Sequence, residues 1–235
     1  MSPSKRPPRY LALLIAMILL ILAYPTVQNH LPFWWIYDVL MTVFFLLVLI
    51  NVFQTHHHRL VATLLGLPTV AGLWLGYALP GLHRASITLT FHLLATLFMV
   101  HSLIIILLDI HRHSEVDADT VRGALCGYLL TGLAFAHIYC MMEIVTPGSI
   151  RSTDQTLDPI GAGGATHFKL TYFSFLTLTT VGYGDMVPAT DPARSFAMVE
   201  AMLGQFYVAV LIGELIGKRV SYSLINRPTS PDDHS

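Results

Sequence analysis

Long apolar runs, separated by short polar segments, fill most of the chain. A helix needs about 20 apolar residues to cross about 30 Å of hydrocarbon. Runs near that length occupy six stretches, at residues 10–27, 33–53, 60–80, 85–108, 121–144 and 193–217. The pattern predicts an all-α membrane protein with six transmembrane helices. Composition supports this fold class, since 54% of the residues are hydrophobic and only 11% are charged.

The segment between the fifth and sixth runs has a different pattern. Residues 145–192 hold a loop rich in Gly, Pro, Ser and Asp, then a short apolar run at 168–178, then "TLTTVGYGD" at 177–185. The short run cannot span a membrane. Irregular backbone is tolerated at membrane depth only where protein buries it or where it lines a water-filled cavity. We therefore expect a re-entrant helix followed by a loop that faces water.

Glycines alternate with side-chain-bearing residues in this loop. Gly182 and Gly184 alternate with Val181 and Tyr183, and glycine adopts backbone conformations that other residues avoid. Successive carbonyl groups can then face one side. The sequence thus predicts a ladder of carbonyl oxygens, which attracts cations without any carboxylate.

The stretch "TVGYGD" at 180–185 resembles the selectivity filter of potassium channels, the type example of a filter built from backbone carbonyls. The resemblance extends over residues 173–217. It implies that K⁺ sites form from the carbonyls of Thr180, Val181, Gly182 and Tyr183, with the Thr180 hydroxyl, and that Gly184 completes the filter. The permeant potassium ion is then the bound ligand, and no other cofactor or metal is expected.

The resemblance also implies an assembly and a pore architecture. One chain carries the motif once, and a filter needs four walls, so we expect a homotetramer. Residues 168–179 would be the re-entrant pore helix, capped by Thr166, with its C-terminal end directed at the pore centre, where the helix dipole favours cations. Asp185 would lie at the pore mouth and raise the local cation concentration.

The last run would be the inner helix of the pore. Gly204 lies where the resemblance places a gating hinge, and a tight helix contact is the alternative reason for a mid-helix glycine. Gly213 and Gly217 are expected to serve close packing. Glu200 is an ionisable residue inside an apolar helix, which makes it a candidate functional residue. We expect it to support the filter from behind, with Thr177 or Tyr172 as its partner.

The first four runs do not supply a voltage sensor. The fourth contains only Arg84, at its edge, whereas steep voltage dependence needs several charges per subunit. We expect residues 1–115 to form a four-span membrane domain resembling a voltage-sensor-like domain without gating arginines. Residues 116–225 would form the potassium channel pore domain, and residues 226–235 a disordered tail.

Lysine and arginine predict the orientation in the membrane. With the N-terminus inside, the outer side would hold Arg84, Arg151, Lys169 and Arg194, and all other lysines and arginines would lie inside. This bias predicts a multi-pass protein of the plasma membrane with both termini cytoplasmic. A cleaved signal peptide is the alternative reading of the first run. The net charge of −1 gives no reason to expect a nucleic-acid partner.

Histidines and cysteines are the remaining candidates for chemistry. The chain has 12 histidines; His56, His57, His58, His111 and His113 form either polar loops or a cytoplasmic pH sensor. His92 and His101 should lie on opposite faces of one helix, which argues against a haem clamp. The sequence shows no metal-spaced cluster, and we expect Cys126 and Cys140 to be buried apolar fillers.

The sequence therefore predicts a subunit that conducts K⁺ passively through a tetrameric pore, gated weakly or not at all by voltage. We expect the subunit to contact the lipid bilayer, and we expect no soluble ligand-binding domain. A non-conducting regulatory subunit and a component of a potassium uptake carrier are the alternatives. An enzyme is not expected, because the chain lacks a Ser/His/Asp order and a phosphate-binding loop.

Overall fold

The computed structural model describes residues 9–28, 35–51, 56–78, 84–112, 116–153 and 165–225. The predicted tail at 226–235 lies outside these residues. The elements, in chain order, are α1 (Tyr10–Gln28), α2 (Trp35–Asn51), α3 (His56–Ala78), α4 (Arg84–Arg112), α5 (Ala118–Val145), β1 (Ile150–Ser152), α6 (Ala165–Leu178), β2 (Met186–Pro188) and α7 (Asp191–Ile225).

Each apolar run of the sequence falls on a helix. Among the described residues, four segments are long and apolar enough to cross a membrane: His58–Leu75, Ala85–Arg112, Ala118–Val145 and Asp191–Lys218. Helices α1 and α2 contain the shorter apolar segments Tyr10–Ala23 and Asp38–Ile50. The chain is thus mostly helical, with four candidate membrane-spanning helices among the described residues, and a total of six spans stays a prediction.

A first apolar core joins α1, α2 and α4 to α5. Phe44, Phe45 and Phe98 are fully buried in it, and the rings of Phe45 and Phe98 pack edge to face with centroids 5.3 Å apart. Leu130 of α5 belongs to the same core. Apolar contact therefore continues across the boundary predicted at residue 115, although the division into two domains itself stays a prediction.

The start of α1 is bound to α4 and α5 by polar contacts. The Asp119 carboxylate accepts hydrogen bonds from the backbone amides of Arg9 and Tyr10, and the Tyr10 hydroxyl donates to Asp109 over 2.8 Å. Free amides at a helix N-terminus are stabilised by such carboxylates. The ring of Tyr10 packs over Gly123, where a Cβ would lie 3.0 Å from it.

A second, smaller core positions the segment around "TVGYGD". It packs Tyr139 of α5 against Phe173 of α6, with ring centroids 4.9 Å apart. Strands β1 and β2 pair antiparallel, with Arg151 opposite Val187. Strand β1 follows α5, and β2 directly follows the filter-like loop. The pairing of the two strands therefore joins the C-terminal end of the loop to the segment after α5.

Candidate ion-conducting site

Helix α6 is the helix that the sequence predicts before the filter-like loop. It starts at Ala165, earlier than the predicted residue 168, so that Thr166 lies inside the helix and does not cap it. It ends at Leu178, but the Thr179 amide still donates to the Phe175 carbonyl over 3.0 Å. The helical hydrogen bonding therefore reaches the predicted last residue.

The loop after α6 has an alternating backbone conformation. Thr180, Gly182 and Gly184 have φ angles of 57°, 48° and 81°, in the left-handed region, whereas Val181 and Tyr183 between them do not. A backbone that alternates between negative and positive φ can turn successive peptide groups of one kind, amides or carbonyls, to a common side. Only glycine adopts a positive φ without strain, so Thr180 is a strained position.

Hydrogen bonds hold the inner end of the loop to the end of α6. The Leu176 carbonyl accepts from the amides of Val181 and Gly182 over 3.0 and 3.3 Å, and the Thr180 amide donates to the Thr177 carbonyl over 2.9 Å. The Gln205 side-chain amide of α7 donates to the Thr180 hydroxyl oxygen over 3.2 Å. No sequence pattern indicated Gln205, which is 25 residues from Thr180 along the chain.

Asp185 closes the outer end of the loop. Its carboxylate accepts a hydrogen bond from the Tyr172 hydroxyl over 2.8 Å. Its backbone carbonyl accepts from both the amide and the hydroxyl of Thr153, each over 2.8 Å. Asp185 therefore links the loop to α6 and to the end of β1, an arrangement that keeps one carboxylate at the exit of the loop.

Glu200 lies buried behind α6, but its partners differ from those predicted. Its carboxylate accepts a hydrogen bond from the Tyr139 hydroxyl over 2.6 Å, and the Ser174 hydroxyl lies 2.5 Å from its other oxygen. The predicted partners Thr177 and Tyr172 are wrong. The Thr177 hydroxyl instead donates to the Phe173 carbonyl of its own helix. The side of α6 that contacts Glu200 is the one that carries Ser174.

Gly204 is where α7 crosses the end of α6. A Cβ at this position would collide with the Leu178 carbonyl oxygen, so the contact requires glycine. This supports tight packing as a reason for Gly204, and hinge motion stays a prediction. Around Gly213 and Gly217 an added Cβ meets nothing within 4 Å in the described chain. The described residues of one chain therefore supply no close packing at these two glycines, and the predicted packing stays a prediction.

The histidines considered as a pH sensor do not form one cluster among the described residues. His111 at the end of α4 lies 3.2 Å from the Glu214 carboxylate of α7, which also pairs with Lys218 over 2.7 Å. The rings of His58 and His101 lie 5.8 Å apart. The side chains of His56 and His57, and all of His113, lie outside the described structure. The pH-sensor interpretation stays a prediction.

Three other histidines and one cysteine meet where α4, α5 and α6 converge. One ligand atom from each of His92, Cys140 and His167 lies within 4.8 Å of the others, and His137 lies beside them. The statement that the chain has no metal-spaced cluster holds only for the linear sequence. No spacing rule reveals this group, because its members come from three helices. Cys126 and Cys140 are both buried free thiols, as expected.

Comparison with known proteins places the filter-like loop inside a matched segment. Residues 123–218 match the family model described as "Ion channel". Over 89 residues the chain is 34% identical to "Two pore potassium channel a" of Oryza sativa subsp. japonica, covering 37% of this chain and 21% of that protein. Over 92 residues it is 29% identical to "Two pore potassium channel c" of the same organism, covering 39% and 17%.

A mammalian protein matches a shorter segment. The chain is 41% identical over 59 residues to "Potassium channel, subfamily K, member 16" of Mus musculus, covering 21% of this chain and 20% of that protein. The chain thus spans about a fifth of the length of the curated relatives that it matches. No solved structure matches the chain significantly. Together these matches support a potassium channel family for this chain, and they point to a channel rather than an enzyme.

Proposed function

We propose that the chain is the pore-forming subunit of a potassium-selective channel and conducts K⁺ passively through a homotetrameric pore. The observation that carries this proposal is the backbone of the "TVGYGD" loop, in which Thr180, Gly182 and Gly184 alternate in the left-handed region. A loop with this alternation and this sequence, at the end of a short helix between two long apolar helices, suits a row of carbonyls that replaces the water around an ion.

The ion sites of this proposal lie along the loop. The carbonyls of Thr180, Val181, Gly182 and Tyr183 would bind K⁺ in file, and Gly184 lets the chain turn outward. In the single chain, residues 179–184 are exposed, as expected for a surface that faces a pore and neighbouring copies. Asp185 would concentrate cations at the mouth, and its bond to Tyr172 keeps its carboxylate in place.

Assembly as a homotetramer is supported by surfaces that one chain leaves uncovered. Tyr183 is 73% exposed, and large apolar residues of α7 such as Phe206 and Val210 are more than 60% exposed. A filter needs carbonyls on all sides of the ion, and one chain supplies one wall. Four copies around a common axis would bring the walls together and cover part of α7.

Weak or absent voltage dependence follows from the charges of α4. The helix carries arginine only at its two ends, Arg84 and Arg112. Moving one charge across the membrane is worth about 2.3 kcal/mol per 100 mV, and steep gating needs several such charges per subunit. In this proposal residues 1–115 form a supporting four-span domain, the protein lies in the plasma membrane with both termini cytoplasmic, and α1 is a span that packs against α5.

A planar-bilayer recording of the purified protein tests the proposal directly. Under a potassium gradient, and with sodium then replacing potassium on one side, we expect a reversal potential that follows potassium and a conductance that changes little with voltage. Gly182→Ala should abolish the current, because alanine is strained at a φ of 48°. Gly148→Ala is the matched control, since Gly148 has a φ of 84° and lies outside the loop.

Each contrary result has a defined meaning. Conduction without potassium selectivity would overturn the filter assignment. Silence of a correctly assembled protein would favour a non-conducting regulatory subunit, and concentrative potassium uptake driven by an ion gradient would favour a carrier component. A steep conductance–voltage curve would refute the role given to α4. Equal loss of current in Gly182→Ala and Gly148→Ala would mean that backbone strain, not the filter, explains the defect.

A further inference from the structure

A compact group of nitrogen and sulfur side chains lies away from the ion-conducting loop. His92 is near the start of α4, His137 and Cys140 are near the end of α5, and His167 is in the first turn of α6. The ring of His92 stacks on that of His167 with centroids 5.7 Å apart and an interplanar angle of 13°. The His137 and His167 rings are 4.9 Å apart. Three helices thus direct potential metal ligands to one point.

The spacing of the donor atoms suits one metal ion. One donor from each of His92, Cys140 and His167 lies within 4.8 Å of the other two. Zn–N bonds of about 2.0–2.1 Å and Zn–S bonds of about 2.3 Å place neighbouring ligands of a tetrahedral ion roughly 3.5 Å apart. The largest separation of the three donor atoms therefore exceeds this spacing by about 1 Å.

The group is buried, which makes its polar atoms costly if they serve no purpose. His137 is 0% exposed and His92 is 3% exposed. The Nε2 atom of His137 has no hydrogen-bond partner among the described residues. An unpartnered polar atom in such a place costs about 1–3 kcal/mol. A buried histidine of this kind calls for an explanation, and support of a metal-binding neighbour would supply one.

His137 also supplies the support that metal-binding histidines usually have. Its Nδ1 lies 2.7 Å from the Nδ1 of His92, so one of the two nitrogens donates a proton to the other. When His92 is the donor, its Nε2 keeps a free lone pair, and the hydrogen bond fixes the orientation of its ring. Such outer partners commonly orient the ligands of metal sites and strengthen metal binding.

We propose that His92, Cys140 and His167 bind one transition-metal ion of the borderline-to-soft class, Zn²⁺ or Cu⁺, with His137 as the positioning residue. Two imidazoles and a thiolate suit these ions, the Cys140 thiol releasing its proton as the metal binds, whereas Mg²⁺ and Ca²⁺ prefer oxygen ligands. The ion would join α4 and α5 to the first turn of α6. Metal binding would therefore stabilise the helix that carries the "TVGYGD" loop, and this inference holds whether or not the loop conducts K⁺.

The test titrates the purified full-length chain in detergent with Co²⁺, Zn²⁺ and Cu⁺. Co²⁺ should give a thiolate-to-cobalt charge-transfer absorption with one ion per chain. Competition with chromophoric chelators then compares Zn²⁺ with Cu⁺. Cys140→Ser should lose the absorption and weaken binding at least tenfold. Cys126→Ser is the matched control, because Cys126 is the other buried cysteine of α5 and contacts the Tyr10 carbonyl instead; it should keep both.

A second measurement protects the test against a variant that does not fold. In the unaltered protein, adding Zn²⁺ or Cu⁺ should raise the temperature of thermal unfolding, and a chelator should reverse the rise. His137→Phe should fold and still bind, but at least threefold more weakly. Failure of Co²⁺, Zn²⁺ and Cu⁺ alike to bind the unaltered protein, or an identical cobalt band in Cys140→Ser, would overturn the proposal. A metal-induced rise in thermal stability that Cys126→Ser loses and Cys140→Ser keeps would also overturn it.

Discussion

Helices α5 and α7 are both long and apolar, but the chain covers them very differently. In α5, 16 of the 28 residues of Ala118–Val145 are buried, whereas in α7 only three of the residues whose burial is described are buried. Helix α5 packs against α1, α4 and α6 of its own chain. The buried side chains described in α7 form a single stripe of Ala193, Glu200 and Gly204.

The chain itself covers most of the surface of α5, whereas it leaves most of the surface of α7 for other molecules to cover. The stripe of α7 touches α5 and α6 at specific points, as the bond from Tyr139 to Glu200 illustrates. The other faces of α7 expose large apolar residues such as Met202 and Phe206. A helix that is apolar all round is normally buried in protein or in a membrane. The open faces of α7 are therefore where we expect further copies and lipid to pack.

The largest expected effect comes from filling the tightest contact of the stripe. Gly204→Val places a side chain against the Leu178 carbonyl, directly below the filter-like loop, and overpacking costs about 1–3 kcal/mol. We expect K⁺ flux into vesicles to fall at least tenfold. Gly72→Val of α3 is the control, since the nearest atom to an added Cβ there is the Phe91 Cβ, at an ordinary contact distance of 3.6 Å. Normal flux in Gly204→Val would show that this contact does not shape the pore.

Removing the buried carboxylate of the stripe should have the next largest effect. Glu200→Ala leaves the Tyr139 hydroxyl without its partner, at a cost of about 1–3 kcal/mol, and leaves Ser174 with only the Gly132 carbonyl. We expect lower K⁺-over-Na⁺ selectivity in bilayer recordings, with a smaller change for Glu200→Gln. Glu214→Gln, on the same helix but nearer its inner end, should keep selectivity. Unchanged selectivity and open probability in Glu200→Gln would remove the support role.

The open faces of α7 can be tested by cross-linking. In Phe206→Cys a thiol replaces a side chain that is 62% exposed, and in Leu64→Cys one replaces a side chain of α3 that is 64% exposed. We expect a bifunctional thiol reagent to join copies of Phe206→Cys and to leave Leu64→Cys as single chains, as read on a denaturing gel. Equal cross-linking at both positions would contradict the difference between α7 and the other exposed helices.

The smallest expected effect concerns single hydrogen bonds that α5 makes. The Tyr207 hydroxyl of α7 donates to the Ala124 carbonyl of α5 over 2.7 Å, and such a bond contributes about 1 kcal/mol. Tyr207→Phe should lower the thermal unfolding temperature by a few degrees. Tyr128→Phe removes a longer bond, of 3.3 Å to the Leu178 carbonyl, and should lower it less. A larger decrease in unfolding temperature for Tyr128→Phe than for Tyr207→Phe would show that the shorter bond does not contribute more to stability.

Much of the molecule could be predicted from local pattern. Each apolar run became a helix, and α6 ended within one residue of its predicted end. The positive φ values at Gly182 and Gly184 agree with the expectation drawn from the alternation of glycine. These features depend on residues close together in sequence, so periodicity, composition and glycine chemistry are enough to predict them.

Other features depend on how separate helices meet. The sequence indicated that Glu200 matters but named the wrong partners, because the relative rotation of α5, α6 and α7 decides that Tyr139 and Ser174 reach it. It treated Cys140 as an apolar filler, and only packing brings His92 and His167 to it. The sequence by itself determined the helices and the chemistry of the loop, because both are local. Tertiary structure decided which buried polar groups share a site, because those contacts join residues far apart in the chain.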